Sequence, residues 1–260
     1  MTIIYMSLFA GVVGMGLGGL LTALFGSRTD KMTGVFLSFA GGVMISIVFL
    51  ELIPESIKYS NITISIIGLV MGAVLVWALN NLMDRVSNYG ESHSRLHKNY
   101  ADFFHSSDVI SRKKSMMRSG MIMLVAIGLH NIPEGLALGA AGYHDISLGI
   151  TLTIIIGLHN IPEGMAVAAP LIAGGLSRIK SVLLTLLIGT TTVIGAILGV
   201  LVGGISDTAV AMSFSIAGGA MLYVVLGEIL PQSIVTSKDR IPTIFALVGV
   251  IVGMLFIAIF

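Results

Sequence analysis

Residues 127–135 read IGLHNIPEG, and residues 156–164 repeat the same nine letters. Each copy lies inside an apolar run, at about 117–142 and 148–174, that is long enough to cross the hydrocarbon core of a bilayer. A polar motif held in two such runs is uncommon, since ionisable groups in membrane helices are costly and as a rule functional. The duplicated stretch therefore predicts two membrane-crossing helices that carry a matched set of reactive groups.

The whole composition supports a membrane protein. Of 260 residues, 55% are apolar and 10% are charged, and the mean hydropathy is +1.01. A soluble domain does not carry such values. Cysteine is absent, which excludes disulfides and thiolate metal sites and leaves His, carboxylate, Asn or Met as metal ligands.

The apolar runs predict an all-α protein with eight transmembrane helices in a single domain, 1–260. The first run is too long for a signal-peptide core, so we expect it to stay in the membrane. The polar segment 84–116 is predicted to be a cytoplasmic loop, in which His93, His97 and His105 suggest weak metal capture. The predicted spans are about 3–25, 33–54, 62–83, 117–142, 148–174, 182–203, 210–233 and 243–260.

Basic residues show which side of the membrane each connection faces. The connections after spans one, three, five and seven hold 13 of the 14 lysines and arginines, and the opposite side holds only Lys58. The positive-inside rule then places those connections in the cytoplasm and both termini outside the cell membrane.

A second internal repeat relates the two ends of the chain. Residues 40–56, AGGVMISIVFLELIPES, match residues 217–233, AGGAMLYVVLGEILPQS. Spans two and seven cross the membrane in opposite directions, as do spans four and five. Inverted repeats of this kind are typical of secondary transporters that bind their substrate near the midplane.

The doubled motif places candidate metal ligands on two helices. His130 and Glu134 are four residues apart and share a helix face, as do His159 and Glu163. The adjacent amides can supply a further oxygen ligand or a supporting hydrogen bond. The candidate centre is therefore His130, Asn131, Glu134, His159, Asn160 and Glu163.

Four glutamates, the two of the motif with Glu51 and Glu228, lie at or near mid-span. Each costs roughly 2.5–3.5 kcal/mol in the bilayer centre. No lysine or arginine lies deep in a span, so protons or a bound cation must balance these charges. Two imidazoles favour a transition metal over sodium or calcium. Zinc suits such a site, as do iron(II), manganese and cadmium, and the residues alone do not choose among them.

Paired HNxPEG motifs, a His-containing loop after span three and outward termini resemble the ZIP family of divalent-metal transporters. The resemblance implies a three-plus-two-plus-three helix arrangement, a homodimer, and metal import toward the cytosol by alternating access, with one helix bundle sliding against the other. It implies that the six motif residues line the metal site and that Met44 contributes from the outward path. Glu51 and Glu228 resemble span-two and span-seven acids of some bacterial members, which implies a relay of protons or metal at the entrance and exit. The alternative role for either acid is a helix-packing hydrogen bond to Ser, Thr or Tyr223.

One residue departs from the pattern of that family. Many relatives carry a glutamate on span six that helps to hold a second metal, whereas residues 189–195 read GTTTVIG here, with Thr192 near that position. We therefore expect one strong site rather than a full two-metal centre.

Two other functions remain possible at this point. A metal-dependent intramembrane hydrolase would need HExxH or an equivalent ligand set, and neither that motif nor a Gly-x-Ser-x-Gly elbow occurs. A metal-gated channel is hard to distinguish from a carrier by sequence. We predict a transporter and not an enzyme, with the metal as cargo rather than cofactor, and with the bilayer and no nucleic acid as partner.

Overall fold

A computed structural model describes residues 2–26, 30–87, 109–202, 206–237 and 239–259. Across these ranges the regular secondary structure is helical, and eight helices are long and apolar enough to cross a membrane. The prediction of an all-α, eight-span protein is confirmed. Spans 1 to 8 are Thr2–Phe25, Lys31–Tyr59, Ile62–Asn81, Met116–Tyr143, Ile146–Ala173, Arg178–Leu201, Asp207–Ser237 and Ile241–Ile259.

The helices on either side of the predicted cytoplasmic loop, 84–116, extend into it at both ends. The helix of span 3 continues as Ile62–Ser87, and the helix of span 4 begins early, as Val109–His144. An apolar run locates the membrane crossing, but backbone hydrogen bonds continue the helix into polar sequence beyond it. The three loop histidines, His93, His97 and His105, lie outside the described residues.

A tight connection sets spans 4 and 5 side by side. The first helix ends at His144 and the next begins at Ile146. The Asp145 side chain between them accepts a hydrogen bond of 2.8 Å from the Ser147 backbone N–H, as an N-cap does. Because this turn is so short, the two motif-bearing helices are antiparallel neighbours.

Spans 2 and 7 each contain a wide π-helical turn, Val48–Leu52 and Val225–Ile229. Each turn lies just before a proline, Pro54 or Pro231. Proline lacks the N–H that an α-helix needs, and the wider turn accommodates that loss without ending the helix. Both helices therefore extend past their prolines and past the predicted span ends at 54 and 233, to Tyr59 and Ser237, and both turns contain a glutamate.

Close glycine contacts reveal the pseudo-twofold symmetry of the fold. A Cβ atom on Gly18 of span 1 would collide with the Ile161 carbonyl of span 5. The same collision would occur between Gly195 of span 6 and the Ile132 carbonyl of span 4. The two isoleucines occupy the same position in the two motif copies, and the two glycines correspond in the alignment that pairs 40–56 with 217–233.

The same correspondence recurs in the other helix pairs. A Cβ on Gly72 of span 3 would meet the Ile216 carbonyl of span 7, and one on Gly249 of span 8 would meet the Phe39 carbonyl of span 2. The alignment of 40–56 with 217–233 can be continued in both directions. It then pairs Gly72 with Gly249 and Phe39 with Ile216. Spans 1–3 thus correspond to spans 6–8, and span 4 corresponds to span 5, which confirms the three-plus-two-plus-three inverted repeat.

The glycine contacts divide the helices into two bundles. Among the described residues, each glycine whose Cβ would meet the backbone of another span contacts a span of its own group. One group, the central bundle, comprises spans 1, 4, 5 and 6; the other, the outer bundle, comprises spans 2, 3, 7 and 8. In the apolar part of span 5, 72% of the residues are buried, whereas the shares in spans 3 and 8 are only 22% and 17%.

A pair of alanine substitutions tests this packing. We expect Gly195→Ala to destabilise the protein by about 1–3 kcal/mol, because its Cβ would overlap the backbone of span 4. Gly128→Ala is the matched control on the same interface, since its Cβ would lie 3.5 Å from the nearest atom, a side-chain carbon of Ile188. Thermal unfolding in detergent measures both variants, and equal melting temperatures would contradict the proposed close contact.

Candidate metal centre

The two motifs meet through reciprocal pairs between helices. His130 Nε2 of span 4 lies 3.0 Å from Glu163 Oε1 of span 5, and His159 Nε2 of span 5 lies 3.2 Å from Glu134 Oε2 of span 4. Within span 4, His130 Nε2 is 3.9 Å from Glu134 Oε1. Each histidine therefore pairs most closely with the glutamate of the opposite helix, as the inverted repeat requires.

Ligand atoms from both helices are close enough to share one cation. One atom each of His130, Glu134 and Glu163 lies within 4.8 Å of the other two. All four histidine and glutamate side chains are at most 1% exposed. The helices thus bring together, in a dry environment, the nitrogen and carboxylate oxygen ligands that zinc accepts.

The two motif asparagines have different partners. Asn160 Nδ2 donates a 2.9 Å hydrogen bond to the Ala10 carbonyl of span 1. Ala10 lies in a third π-helical turn, Leu8–Val13. In the orientation that satisfies its amide, Asn131 donates from Nδ2 to Glu163 Oε2 at 3.2 Å and to the Ile127 carbonyl at 3.1 Å. Asn160 is thus fixed by span 1, whereas Asn131 supports a candidate ligand.

Several buried polar atoms of this cluster have no hydrogen-bond partner in the described structure. They include Glu134 Oε1, Asn160 Oδ1 and His159 Nδ1. An unsatisfied buried polar atom costs about 1–3 kcal/mol, so such a concentration indicates a site that binds something. Because the Asn160 nitrogen is held by Ala10, its oxygen is the group left available to a cation.

The charges of the cluster match a divalent ion. Two carboxylates lie beside two imidazoles, and the sequence contains no lysine or arginine from Ser119 to Ser177. A dication with two neutral histidines and two carboxylates has no net charge, which removes most of the cost of burying the acids. Imidazole binds metal only when it is neutral at the ligating nitrogen, so binding displaces any protons that the cluster carries.

The other predicted ligands lie on the outer bundle. Met44 is fully buried in the apolar core, and its role as a ligand remains a prediction. Glu51 is half-buried in the π turn of span 2 and interacts electrostatically with His159. Glu228 is 7% exposed in the equivalent turn of span 7, where Asn80 Nδ2 donates a 3.4 Å hydrogen bond to its Oε1. The two acids thus occupy equivalent positions with unequal burial.

Thr192 lies where spans 1, 4 and 6 meet. A Cβ on Gly11 of span 1 would approach the Thr192 side chain to 2.7 Å, and one on Gly135 of span 4 would collide with its carbonyl. Its hydroxyl is buried without a hydrogen-bond partner in the described structure. Threonine adds no third negative charge beside the motif, so the single-site prediction is compatible with this packing.

Two functional contacts were not predicted from sequence. The contact with the Ala10 carbonyl involves a π turn, and span 1 has no proline that would predict such a turn. Asn80 could have been flagged as a polar residue near the end of an apolar run, but its contact with Glu228 joins residues 148 positions apart. Neither pairing follows from local spacing.

Taken together, inverted repeats that enclose an imidazole–carboxylate cluster at membrane depth define a class, the cation-transporting secondary transporters. Comparison with known proteins gives the family. The family model described as ZIP zinc transporter matches residues 80–260. This chain belongs to the ZIP zinc transporter family and is a multi-pass protein of the cell membrane.

Similar proteins cover almost the full chain. The zinc transporter ZupT of Chlorobium chlorochromatii is 34% identical over 98% of this chain and 94% of its own length. The protein of the same name from Akkermansia muciniphila is 34% identical over 94% of this chain and 91% of its own. That of Corynebacterium glutamicum is 31% identical over 98% and 95%. The similarity therefore includes both bundles.

Proposed function

We propose that this protein imports zinc toward the cytosol and binds it between spans 4 and 5. The main support is the reciprocal pairing of His130 with Glu163 and of His159 with Glu134. All four side chains are buried within the membrane-crossing helices. The similarity to relatives called zinc transporters supports zinc as the cargo. Iron(II), manganese and cadmium fit the same donor atoms and are proposed as weaker substrates.

The motif residues have distinct roles in this proposal. The two histidines and two glutamates bind the metal, and the Asn160 oxygen is available as a further ligand. Asn131 orients Glu163 through its hydrogen bond, a supporting role that typically tunes metal affinity. Met44, Glu51 and Glu228 are proposed to contact the metal on its way in or out rather than to hold it.

The two bundles supply a route to alternating access. The central bundle contains the whole motif cluster, and its helices are joined by backbone-to-glycine contacts. One cluster of buried apolar side chains, which includes Met44 of span 2 and Ile127 of span 4, joins it to the outer bundle. Contacts between apolar side chains are not directional, so the central bundle can slide with its cargo. A homodimer, which the family resemblance implies, is proposed as the assembled form.

The alternative functions receive less support. A hydrolase would need a metal-bound water and a substrate cleft, and membership of a transporter family argues against it. A channel needs a continuous path, whereas the motif cluster is closed on all sides at 0–1% exposure. The carrier is the function that accounts for the closed site and the inverted repeats together.

Zinc uptake by proteoliposomes tests the proposal. Purified full-length protein is reconstituted, and entry of zinc is followed with a trapped fluorescent chelator against protein-free liposomes. We expect uptake that saturates with external zinc and is reduced by excess cadmium, iron(II) or manganese. Uptake that rises linearly with zinc would instead favour a channel, and uptake equal to that of empty liposomes would refute transport.

A further inference from the structure

An apolar groove opens on the membrane face of the outer bundle, between spans 3 and 7. Its volume is about 660 Å³, within the range of small-molecule pockets. Ile66 and Val70 of span 3 and Leu226 of span 7 line it and are 52%, 57% and 60% exposed. All three lie within membrane-crossing helices, so the groove opens to lipid rather than to water.

Some of the residues that line the groove differ in size from their symmetry-related counterparts. Spans 2 and 8 share two close glycine contacts with spans 7 and 3, at Gly42 and Gly249 on one side and at Gly219 and Gly72 on the other. Yet Gly227 and Ala73, which line the groove, correspond in the inverted repeat to Leu50 and Val250. Small residues thus stand on one side of the molecule where larger side chains occupy the equivalent positions on the other.

A second difference between the repeats places bulkier residues on spans 3 and 7 beside the groove. On the symmetry-related side, Gly253 of span 8 lies directly against Ser46 of span 2. The equivalent residues are Val76 and Tyr223, which are bulkier and cannot approach as closely. Tyr223 lines the groove together with Gly227, one helical turn further on.

We infer that this groove binds one acyl chain of a membrane phospholipid. Its lining is apolar except for the tyrosine hydroxyl and is exposed at hydrocarbon depth. A helix about 10 Å thick would fill 660 Å³ in fewer than two turns, whereas a transmembrane partner presents about 20 residues. A single flexible chain can follow a groove of this volume along its length, whereas a helix of a second copy would place only a few side chains in it.

The position of the groove relates its occupant to the transport machinery. Gly227 immediately precedes Glu228 in the π turn of span 7. A chain lying against Gly227 therefore packs on the membrane side of the same turn that contains the buried Glu228. The bound lipid is thus a structural part of the outer bundle. This inference is independent of zinc transport and goes beyond it.

The protein contains its own reporter for this site. Trp77 is the only tryptophan in the sequence and is 55% exposed. Ile66, Val70, Ala73 and Trp77 follow the spacing of one helix face, so the indole lies one turn beyond the groove on the same stripe. Bromine atoms on an acyl chain quench indole fluorescence on contact.

The test titrates brominated phosphatidylcholine into the delipidated full-length protein in detergent and follows Trp77 emission. We expect quenching that saturates at low lipid-to-protein ratio in the wild type. The double variant G227L/A73V, which copies the equivalent residues Leu50 and Val250 of the symmetry-related side, should lose the saturable component. A Cβ at Gly227 would meet the Tyr223 ring at 3.7 Å, an ordinary contact, and A73V alone provides a milder filling variant.

Matched controls separate the possible outcomes. V248L adds one methylene to a residue of span 8 that is 40% exposed to the membrane, and its quenching should match that of the wild type. Non-saturable quenching in the wild type, or unchanged saturation in both filling variants, would overturn the inference. Conversion of dimers to monomers by the filling variants, with no change in quenching, would instead assign the groove to a second copy and also overturn it.

Discussion

Replacing Glu163 by glutamine is expected to weaken zinc binding by about a hundredfold or more and to abolish saturable uptake. Glu163 accepts hydrogen bonds from His130 Nε2 at 3.0 Å and from Asn131 Nδ2 at 3.2 Å. Glutamine has nearly the same shape but no charge, so the bound dication would keep one uncompensated positive charge. Leaving a buried charge unpaired costs about 3–5 kcal/mol, and about 1.4 kcal/mol corresponds to a tenfold change in affinity.

The measurement is a competition between purified protein and a zinc chelator of known affinity. E134Q should behave like E163Q, because the inverted repeat gives the two glutamates equivalent partners. E55Q is the control, since Glu55 lies near the end of span 2 and pairs with Lys58 at 3.1 Å. An E163Q affinity within about threefold of the wild type, as expected for a surface charge, would contradict the site.

The fold could be predicted from the sequence because the apolar runs and the internal repeats both have direct structural consequences in a bilayer. Apolar runs must be helical to satisfy their own backbone hydrogen bonds, and eight runs therefore became eight helices. The repeats 40–56 and 217–233 predicted inverted symmetry, which the glycine contacts confirm because they follow the same alignment. The helix ends at Ser87 and Val109 could not be predicted from the apolar runs, since these helices continue beyond the apolar sequence.

The arrangement inside the candidate site was less predictable. The spacing of His130 and Glu134 placed both groups on one face, but the closest pairs form between helices. Which helix faces which, and at what depth, depends on the turn at Asp145 and on the glycine contacts of spans 1 and 6. These are long-range packing effects that one-dimensional spacing does not contain.

The π turns illustrate the same limit. Pro54 and Pro231 predict a local disturbance of the helix, but not that a glutamate would lie within a widened turn. In span 1, no proline predicts the π turn that contains Ala10. The hydrogen bond from Asn160 to Ala10 therefore makes the two motif asparagines unequal. The identical sequences of the two motif copies do not predict this difference.

The sliding of one bundle against the other predicts a second large effect. Linking the bundles should stop transport while zinc binding persists, because the motif cluster lies wholly within the central bundle. Met116 of span 4 and Gln232 of span 7 make a suitable pair. Met116 Sδ and Gln232 Nε2 lie 3.7 Å apart across the boundary between the two bundles. Since the chain has no cysteine, M116C/Q232C introduces the only two thiols, and a short bifunctional thiol reagent with a reducible bridge can join them.

A pair within one bundle provides the control. Ser56 of span 2 and Ser65 of span 3 both belong to the outer bundle, and their hydroxyl oxygens are 2.7 Å apart. The same reagent should link S56C/S65C without reducing uptake, because those helices move together. For M116C/Q232C we expect uptake to fall to the level of empty liposomes and to return when the bridge is reduced. Full transport by the linked M116C/Q232C protein would show that span 4 does not move against span 7 during the cycle.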